Sequence, residues 1–391
     1  MSTQPENQLR ELVPALEDQD ELFSSAFGIV SKAIEQRIFP GASVAVTFDG
    51  QLRARKAFGK FTYADDWPEV VPATIFDLAS VTKPVATTSM AMILYERGLL
   101  ELDAAVVGII PEFRSASDPR RNEVTLRMLL AHCSGLPAYE KLFLRASSRE
   151  ELLRGAFETP LTADPGTRAE YTDIGFIVLG VALERIAGEA LDSFCRREAF
   201  GPLAMTHTAF NPPPDIRLQI PPTADERDDV TAGGGERLVG NPVKARSTFR
   251  NRIIQGEVQD ENAYVLGGVA GHAGLFSTAE DLARFAHTML IGGAAIWRPE
   301  TVALFAACQK QPAGSSRSLG WDTPSKPSQS GKYFGPASYG HLGYTGASLW
   351  IDPERKLSIT LLTNRTWPDC SNQAIKQLRP RFHDAVVEAL A

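Results

Sequence analysis

Ser80-Val81-Thr82-Lys83 sets a hydroxyl and an amine three residues apart. A serine hydroxyl is a poor nucleophile at neutral pH, so nucleophilic catalysis needs a base within hydrogen-bond reach. At a helix start, residues three apart share one face with about 5–6 Å between Cβ atoms, which makes Lys83 a candidate partner for Ser80. Pro84 suits the first turn, where its missing N–H removes only a donor that has no intrahelical partner. The positive end of the helix would also favour an oxyanion forming at Ser80. Spacing alone decides little: Ser-x-x-Lys arises by chance about once in a chain of this size, and a cap followed by a solvated lysine gives the same letters.

Two further clusters add chemistry. Tyr171-Thr172-Asp173 stands just ahead of an apolar helical run. A tyrosine acts as a general base only when its pKa falls, and a neighbouring ammonium lowers it. His341-Leu342-Gly343, followed by Tyr344-Thr345-Gly346, reads as a glycine-rich strand end. Such an edge admits a substrate backbone and can offer an amide to an oxyanion. His132 lies beside Ser134, but Ser134 has no lysine-bearing turn behind it; His207, His287 and His383 belong to no constellation. The chain has no Gly-x-Ser-x-Gly elbow, His-Glu-x-x-His pair, phosphate loop or dinucleotide fingerprint.

The elements that must position these residues follow from periodicity and turn chemistry. Phe27, Val30, Ile34 and Ile38 recur at helical spacing. Ala42–Thr47 and Leu52–Phe58 are β-rich runs around the hairpin signal Asp49-Gly50. A helix is predicted from about Ser80 to Arg97, closed by Gly98, and another from Ile174 to Ala187, closed by Gly188. Ser277 and Glu280 form a capping-box pattern ahead of Leu282, Phe285 and Met289. Ala347–Ile351 and Leu357–Thr363 read as paired strands, and Gln373–Leu390 as a closing helix. Residues 1–22 read as a flexible lead-in. Residues 211–242, with Pro212-Pro213-Pro214 and Gly233-Gly234-Gly235, read as a long irregular excursion. Strands therefore cluster at both ends, which points to one antiparallel sheet with the terminal helices on one face and a helical subdomain inserted between.

Composition bounds the partners. With 391 residues, 43% hydrophobic and 22% charged, the chain can bury a large core. A net charge of -7 and no Lys/Arg block argue against nucleic acid. No run is long enough for a membrane span. The polar, acidic opening lacks a secretory pattern, so a cytoplasmic location is expected. Cys133, Cys195, Cys308 and Cys370 are scattered without paired spacing and read as reduced thiols rather than disulfides or metal ligands.

From about residue 24 to 388 the chain resembles the class C β-lactamase family, which includes DD-peptidases, D-aminopeptidases and esterases. The likeness lies in Phe76-Asp77-Leu78-Ala79-Ser80-Val81-Thr82-Lys83, Leu129-Leu130-Ala131-His132-Cys133-Ser134-Gly135-Leu136-Pro137 and Gly343-Tyr344-Thr345-Gly346-Ala347-Ser348-Leu349-Trp350-Ile351-Asp352-Pro353-Glu354. It implies an α/β (α+β) fold of the β-lactamase/transpeptidase type within one catalytic domain, residues 23–391. Its sheet-bearing part would run from about 23–100 and 265–391, its helical part over 101–264. The resemblance makes Ser80 the nucleophile and Lys83 and Tyr171 the proton carriers, without deciding which of the two is the acylation base. The backbone N–H groups of Ser80 and Tyr344 would form the oxyanion hole, and neither metal nor cofactor would be needed.

Substrate contacts are expected from Asp173, His341, Leu342, Gly343 and His272. Three of these mark departures. β-Lactamases of the family carry Tyr-x-Asn where this chain has Asp173, and Lys-Thr-Gly where it has His341 and Leu342, so the grip on a substrate carboxylate is weakened. Asp173 reads equally as a partner of Lys83 or a helix cap. The stretches around Gly256–Ala263 and Gly267–Ser277 resemble a branch that includes muramyl-peptide amidases, with Gln259 where that branch has histidine. The expected function is a serine hydrolase of small esters, amides or peptides. A muropeptide amidase or DD-peptidase, a weak β-lactamase and a non-catalytic penicillin-binding fold remain as alternatives; intact Ser80, Lys83 and Tyr171 argue against the last.

Overall fold

A computed structural model describes residues 12–227, 249–294 and 296–391. The amino-terminal half contains β1 (Val13–Pro14), α1 (Gln19–Leu22), α2 (Ser24–Glu35), β2 (Gly41–Phe48), β3 (Gln51–Gly59), β4 (Phe76–Asp77) and α3 (Ser89–Glu96). The helical middle holds α4 (Val106–Ile109), α5 (Leu126–Leu130), α6 (Arg149–Glu158), α7 (Asp173–Ala187) and α8 (Leu191–Cys195). Short pieces follow: β5 (Ala209–Phe210), β6 (Ala224–Asp225), β7 (Ile253–Ile254), α9 (Glu261–Val265) and β8 (Leu275–Ser277). The chain closes with α10 (Ala279–Leu290), α11 (Pro299–Ala306), β9 (Tyr339–Leu342), β10 (Ser348–Asp352), β11 (Leu357–Thr363) and α12 (Ile375–Ala389).

The main sheet has the order β1-β3-β2-β11-β10-β9, so carboxy-terminal strands pair directly with amino-terminal ones. Every pairing is antiparallel except the two-residue β1, which runs parallel to β3. Asp49 and Gly50 both take positive φ, as the tight hairpin between β2 and β3 requires. Alternation along the strands divides the core in two. Val44, Val46, Trp350, Ile359 and Leu361 pack with Phe27, Val30, Leu378 and Phe382 of α2 and α12. Ala45, Leu349, Ile351 and Leu362 face the other way, toward Met90, Leu129, Ile177 and Phe285 of the helical part. A second sheet, β4-β8-β5, lies on that inner side and ends just before Ser80.

Several expectations change in detail. The helix after Ser80 starts as a tight turn over Ala79–Val81, widens over Lys83–Thr88, and becomes regular only at Ser89. The cap of α10 is Thr278, accepting from the Asp281 N–H, one residue beyond the Ser277/Glu280 pattern. Ile38 lies beyond the end of α2. Within the expected lead-in, residues from Leu12 onward pack, with Val13–Pro14 paired to β3. Of the 211–242 excursion, residues 211–227 are structured around a turn at Pro214–Gln219 and β6; Gly233-Gly234-Gly235 and residues 1–11 lie outside the described residues. Among the described residues, no helix is long and apolar enough to cross a membrane.

One buried ion pair ties this region to the site. Arg250 and Glu226 meet at 2.6 Å with side chains 1% and 2% exposed. Arg250 also donates to the carbonyls of Val258 and Gln259. Removing one partner of such a pair strands the other charge and typically costs about 3–5 kcal/mol. Glu226→Ala should therefore lower the urea midpoint substantially, whereas Glu388→Ala, which removes the surface pair with Lys332, should leave it almost unmoved. Equilibrium unfolding of both variants checks the contrast.

Candidate active site

Ser80 is presented by a strained turn. Asp77, at the end of β4, accepts the Ala79 N–H through Oδ1 and the Gln259 N–H through Oδ2, both at 2.7 Å. Ala79 takes φ +46°, a left-handed conformation that non-glycine residues rarely adopt. The Thr82 hydroxyl accepts the Leu275 N–H at 3.1 Å, which locks the following turn to β8. Burial pushes the Asp77 carboxyl up to about 6, against the pull of its two N–H donors. Asp77 thus joins the Ser80 turn to the 256–262 loop that Arg250 pins from behind.

Lys83 is fully buried, whereas Ser80 remains half-exposed. The Lys83 ammonium reaches four oxygens: Ser80 Oγ at 3.0 Å, Tyr171 OH at 2.5 Å, Asp173 Oδ1 at 2.6 Å and the His272 carbonyl at 3.1 Å. An ammonium has three protons for these four acceptors. Burial works against the lysine charge, but Asp173 and Tyr171 outweigh it and hold Lys83 above the usual lysine range. Burial pushes the Tyr171 phenol up to about 12; Lys83 pulls it down and Asp173 pushes it further up. Both groups are therefore shifted toward their protonated forms.

Tyr171 and Asp173 are delivered by the start of α7. Its cap is Thr172, whose hydroxyl accepts the Gly175 N–H at 3.0 Å and donates to the Pro137 carbonyl at 2.6 Å. Asp173 is thus not the cap; its carboxylate is spent on Lys83. His132 lies against Tyr171, ring centroids 4.6 Å apart, and accepts the Thr172 N–H through Nδ1. That bond places its proton on Nε2, and burial, then the Arg317 and Lys83 charges, keep the ring neutral. Arg317 covers the Tyr171 ring with its guanidinium carbon 5.3 Å from the centroid.

On the far wall, β9 alternates. His341 turns toward Tyr171, ring centroids 6.0 Å apart, and its Nδ1 bonds the Leu342 carbonyl. Burial, then Lys83 and Arg317, hold its ring far below the usual histidine range, so it carries no positive charge at neutral pH. Leu342 points the other way, into the core under α2 and α12. The expected Leu342 side-chain contact with substrate is therefore corrected: neighbouring strand residues face opposite sides. Gly343 is required by a close approach, because a Cβ there would lie 2.4 Å from the Leu78 carbonyl. This contact brings Tyr344 beside the Ser80 turn. Arg365 donates to the Tyr344 carbonyl at 2.7 Å and the Thr345 hydroxyl to the Asp77 carbonyl at 2.8 Å, which ties the turn after β9 to the end of β4.

His272 contributes its backbone carbonyl to Lys83, while its ring is held by Asp260 at 2.8 Å. Gly271 allows this placement: a Cβ would lie 2.1 Å from the Phe176 carbonyl on α7. Ser134 is buried, with its hydroxyl accepting from Leu136, away from this network. Asp77, Asp260, His132 and Arg317 were not picked out by sequence reasoning as parts of the site. Asp77, His132 and Asp260 lie inside stretches that carry the family likeness, while Arg317 meets the site across a long sequence separation with no local signal. No cluster of three His, Cys, Asp or Glu side chains suited to a metal occurs among the described residues.

Comparison with known proteins is consistent in fold and kind. A family model named Beta-lactamase matches residues 27–379. An N-acetylmuramyl-L-alanine amidase of Bacillus subtilis is 32% identical over 367 residues, covering 86% of this chain and 80% of the relative. A protein of Escherichia coli K12, provisionally named a D-alanyl-D-alanine carboxypeptidase, is 31% identical over 351 residues, covering 84% and 79%. Among solved structures, EstCE1, a hydrolase with promiscuous acyltransferase activity, superposes with a TM-score of 0.74 at 23% identity, over 94% of this chain and 99% of its own. A penicillin-binding-protein homologue of Caulobacter crescentus gives 0.71 at 17% identity, over 97% and 99%.

The shared hydrogen bonds make Lys83 and Tyr171 a unit. Lys83→Ala and Tyr171→Phe should each depress acylation by roughly a thousandfold or more, and the double variant should be little worse than either. Pre-steady-state acylation rates for all four proteins test this; losses that add in free energy would mean that one residue is only structural.

Proposed function

The chain belongs to the β-lactamase family of serine hydrolases, and from that premise we propose that it hydrolyses small esters or amides through an acyl-enzyme on Ser80. The observation that carries this reading is the Lys83 ammonium, 3.0 Å from Ser80 Oγ and 2.5 Å from Tyr171 OH, buried at the base of a half-exposed serine. Once the Lys83/Tyr171 pair has released one proton to solvent, Ser80 Oγ attacks the acyl carbonyl and passes its own proton to the pair. The same pair returns it to the leaving group. The Ser80 and Tyr344 amides stabilise the oxyanion, and water completes the cycle by the reverse route.

A second reading has its own support: relatives above 30% identity are named a D-alanyl-D-alanine carboxypeptidase and an N-acetylmuramyl-L-alanine amidase. An amide in a muropeptide, or a D-amino-acid link, is then the natural acyl donor, with Ser80, Lys83 and Tyr171 in the same roles. A substrate panel of short aryl esters, D-amino-acid amides and muramyl peptides separates the two readings by kcat/KM.

A fluorophosphonate probe should label the wild type and Ser134→Ala but not Ser80→Ala; labelling that persists at another serine in Ser80→Ala would overturn the assignment. The wall opposite Ser80 carries neutral His341, and Leu342 faces away, so a β-lactam carboxylate lacks the lysine and hydroxyl grip. A charge-assisted hydrogen bond contributes about 1.5–3 kcal/mol, so its loss should lower kcat/KM for such anionic donors by about ten- to a hundredfold. Steady-state kinetics should show a p-nitrophenyl ester outpacing nitrocefin. The reverse order would make β-lactam hydrolysis the better reading.

A further inference from the structure

Ser80, Lys83, Tyr171 and Asp173 share one charge balance. Lys83 carries its charge in a position with no solvent exposure, and Asp173 meets it at 2.6 Å with only 18% of its own side chain exposed. Acylation needs a neutral Lys83 amine or a Tyr171 phenolate, and either form exists only after the pair has lost one proton. With Asp173 ionised in contact, that loss leaves a net negative charge inside a buried cluster. With a neutral side chain at 173, the same loss would take the cluster from positive to neutral. Lys83 itself has no access to water, so its charge balance responds strongly to the contact with Asp173.

Other charges facing the cluster do not replace this one. Arg317, over Tyr171, is balanced by Asp322 at 3.5 Å. His132 and His341, packed beside Tyr171, are kept neutral mainly by burial. Asp260 senses Lys83 from the α9 side, but its oxygen is taken by the His272 ring and the Ala263 N–H. Tyr139, in the loop that bonds the Asp173 N–H through Ala138, stays protonated through burial and its acidic neighbours. Among the described residues, Asp173 is the carboxylate in direct contact with Lys83.

We propose that Asp173 is a positioning residue that keeps Lys83 and Tyr171 protonated, rather than a substrate contact, and thereby sets this hydrolase to work in the alkaline range. The proposal rests on the Ser80 acyl-enzyme reading. In the reacting form the pair has already released one proton to solvent. The Ser80 O–H bond then breaks, its proton moves to the Lys83 amine or the Tyr171 phenolate, and the Oγ–acyl bond forms. Expulsion of the leaving group takes that proton back. Asp173 neither gains nor loses a proton in the step; it fixes how much base pH is needed to start it.

The test is the pH profile of kcat/KM on a p-nitrophenyl ester for wild type, Asp173→Asn and Asp173→Glu. In Asp173→Asn the acidic limb should move down by at least one pH unit, about a tenfold relative gain at the foot of the profile, with the plateau within about tenfold of wild type. Asp173→Glu keeps the anion and should keep the alkaline limb. Phenolate absorbance, taken as the difference from the corresponding Tyr171→Phe proteins, should appear at lower pH in Asp173→Asn, a readout independent of turnover. An unmoved or raised limb overturns the proposal. So does a plateau loss beyond a hundredfold without a shift, which would assign Asp173 to the substrate or to the proton path. Turnover persisting in Ser80→Ala would instead defeat the acyl-enzyme reading, so the two failures remain distinguishable.

Discussion

A lysine ammonium with no access to water is the constraint around which this molecule is arranged. Burying an unpaired charge costs several kcal/mol even after relaxation, so Lys83 demands partners, and these come from three separate segments of the chain. Ser80 is supplied by its own turn, Tyr171 and Asp173 by the start of α7, and the His272 carbonyl by the glycine-rich loop before β8. The site is complete only when all three segments dock. Asp173 makes the burial tolerable by meeting the ammonium at 2.6 Å, and its charge raises both Lys83 and Tyr171.

Precision in this docking comes from contacts that leave no room for a side chain. Gly343 lies against the Leu78 carbonyl, and Gly271 against the Phe176 carbonyl. The first brings β9 to the Ser80 turn; the second brings the His272 carbonyl to Lys83. Asp77 bonds the Ser80 turn to the Gln259 amide, and the buried Arg250–Glu226 pair holds the segment carrying Gln259. A positive φ at Ala79 is maintained by these supports, as strain at a reactive turn must be. The rings of His132 and Phe176 are 4.9 Å apart, and the Lys83 ammonium lies 4.7 Å from the Tyr171 ring centroid and 5.6 Å from that of Phe176.

Family membership makes the chain a serine hydrolase, and two positions beside Ser80 differ from the family's β-lactamase pattern. Neutral His341 stands where the family's β-lactamases carry a lysine, and an anion stands where they carry an amide. His341 is held neutral by burial, and Asp173 is paired with the buried Lys83.

By itself the sequence determined the paired strands around Asp49-Gly50 and Asp352-Pro353, the amphipathic terminal helices, the helix closed by Gly188, and the Ser80/Lys83 spacing. These are local: hydrophobic period, turn residues and helical neighbours act within a few positions. Tertiary structure alone decided which way residues without a local preference would turn. Thr172 rather than Asp173 caps α7 because Lys83, 90 positions away, claims the carboxylate. Leu342 faces the α2/α12 core because the pairing of β9 with β10 sets its side of the sheet. Asp260, His132 and Arg317 reach the site through contacts between segments with no shared periodicity; burial there raises Tyr171 and lowers His341, while Asp173 and Tyr171 hold Lys83 up against its own burial.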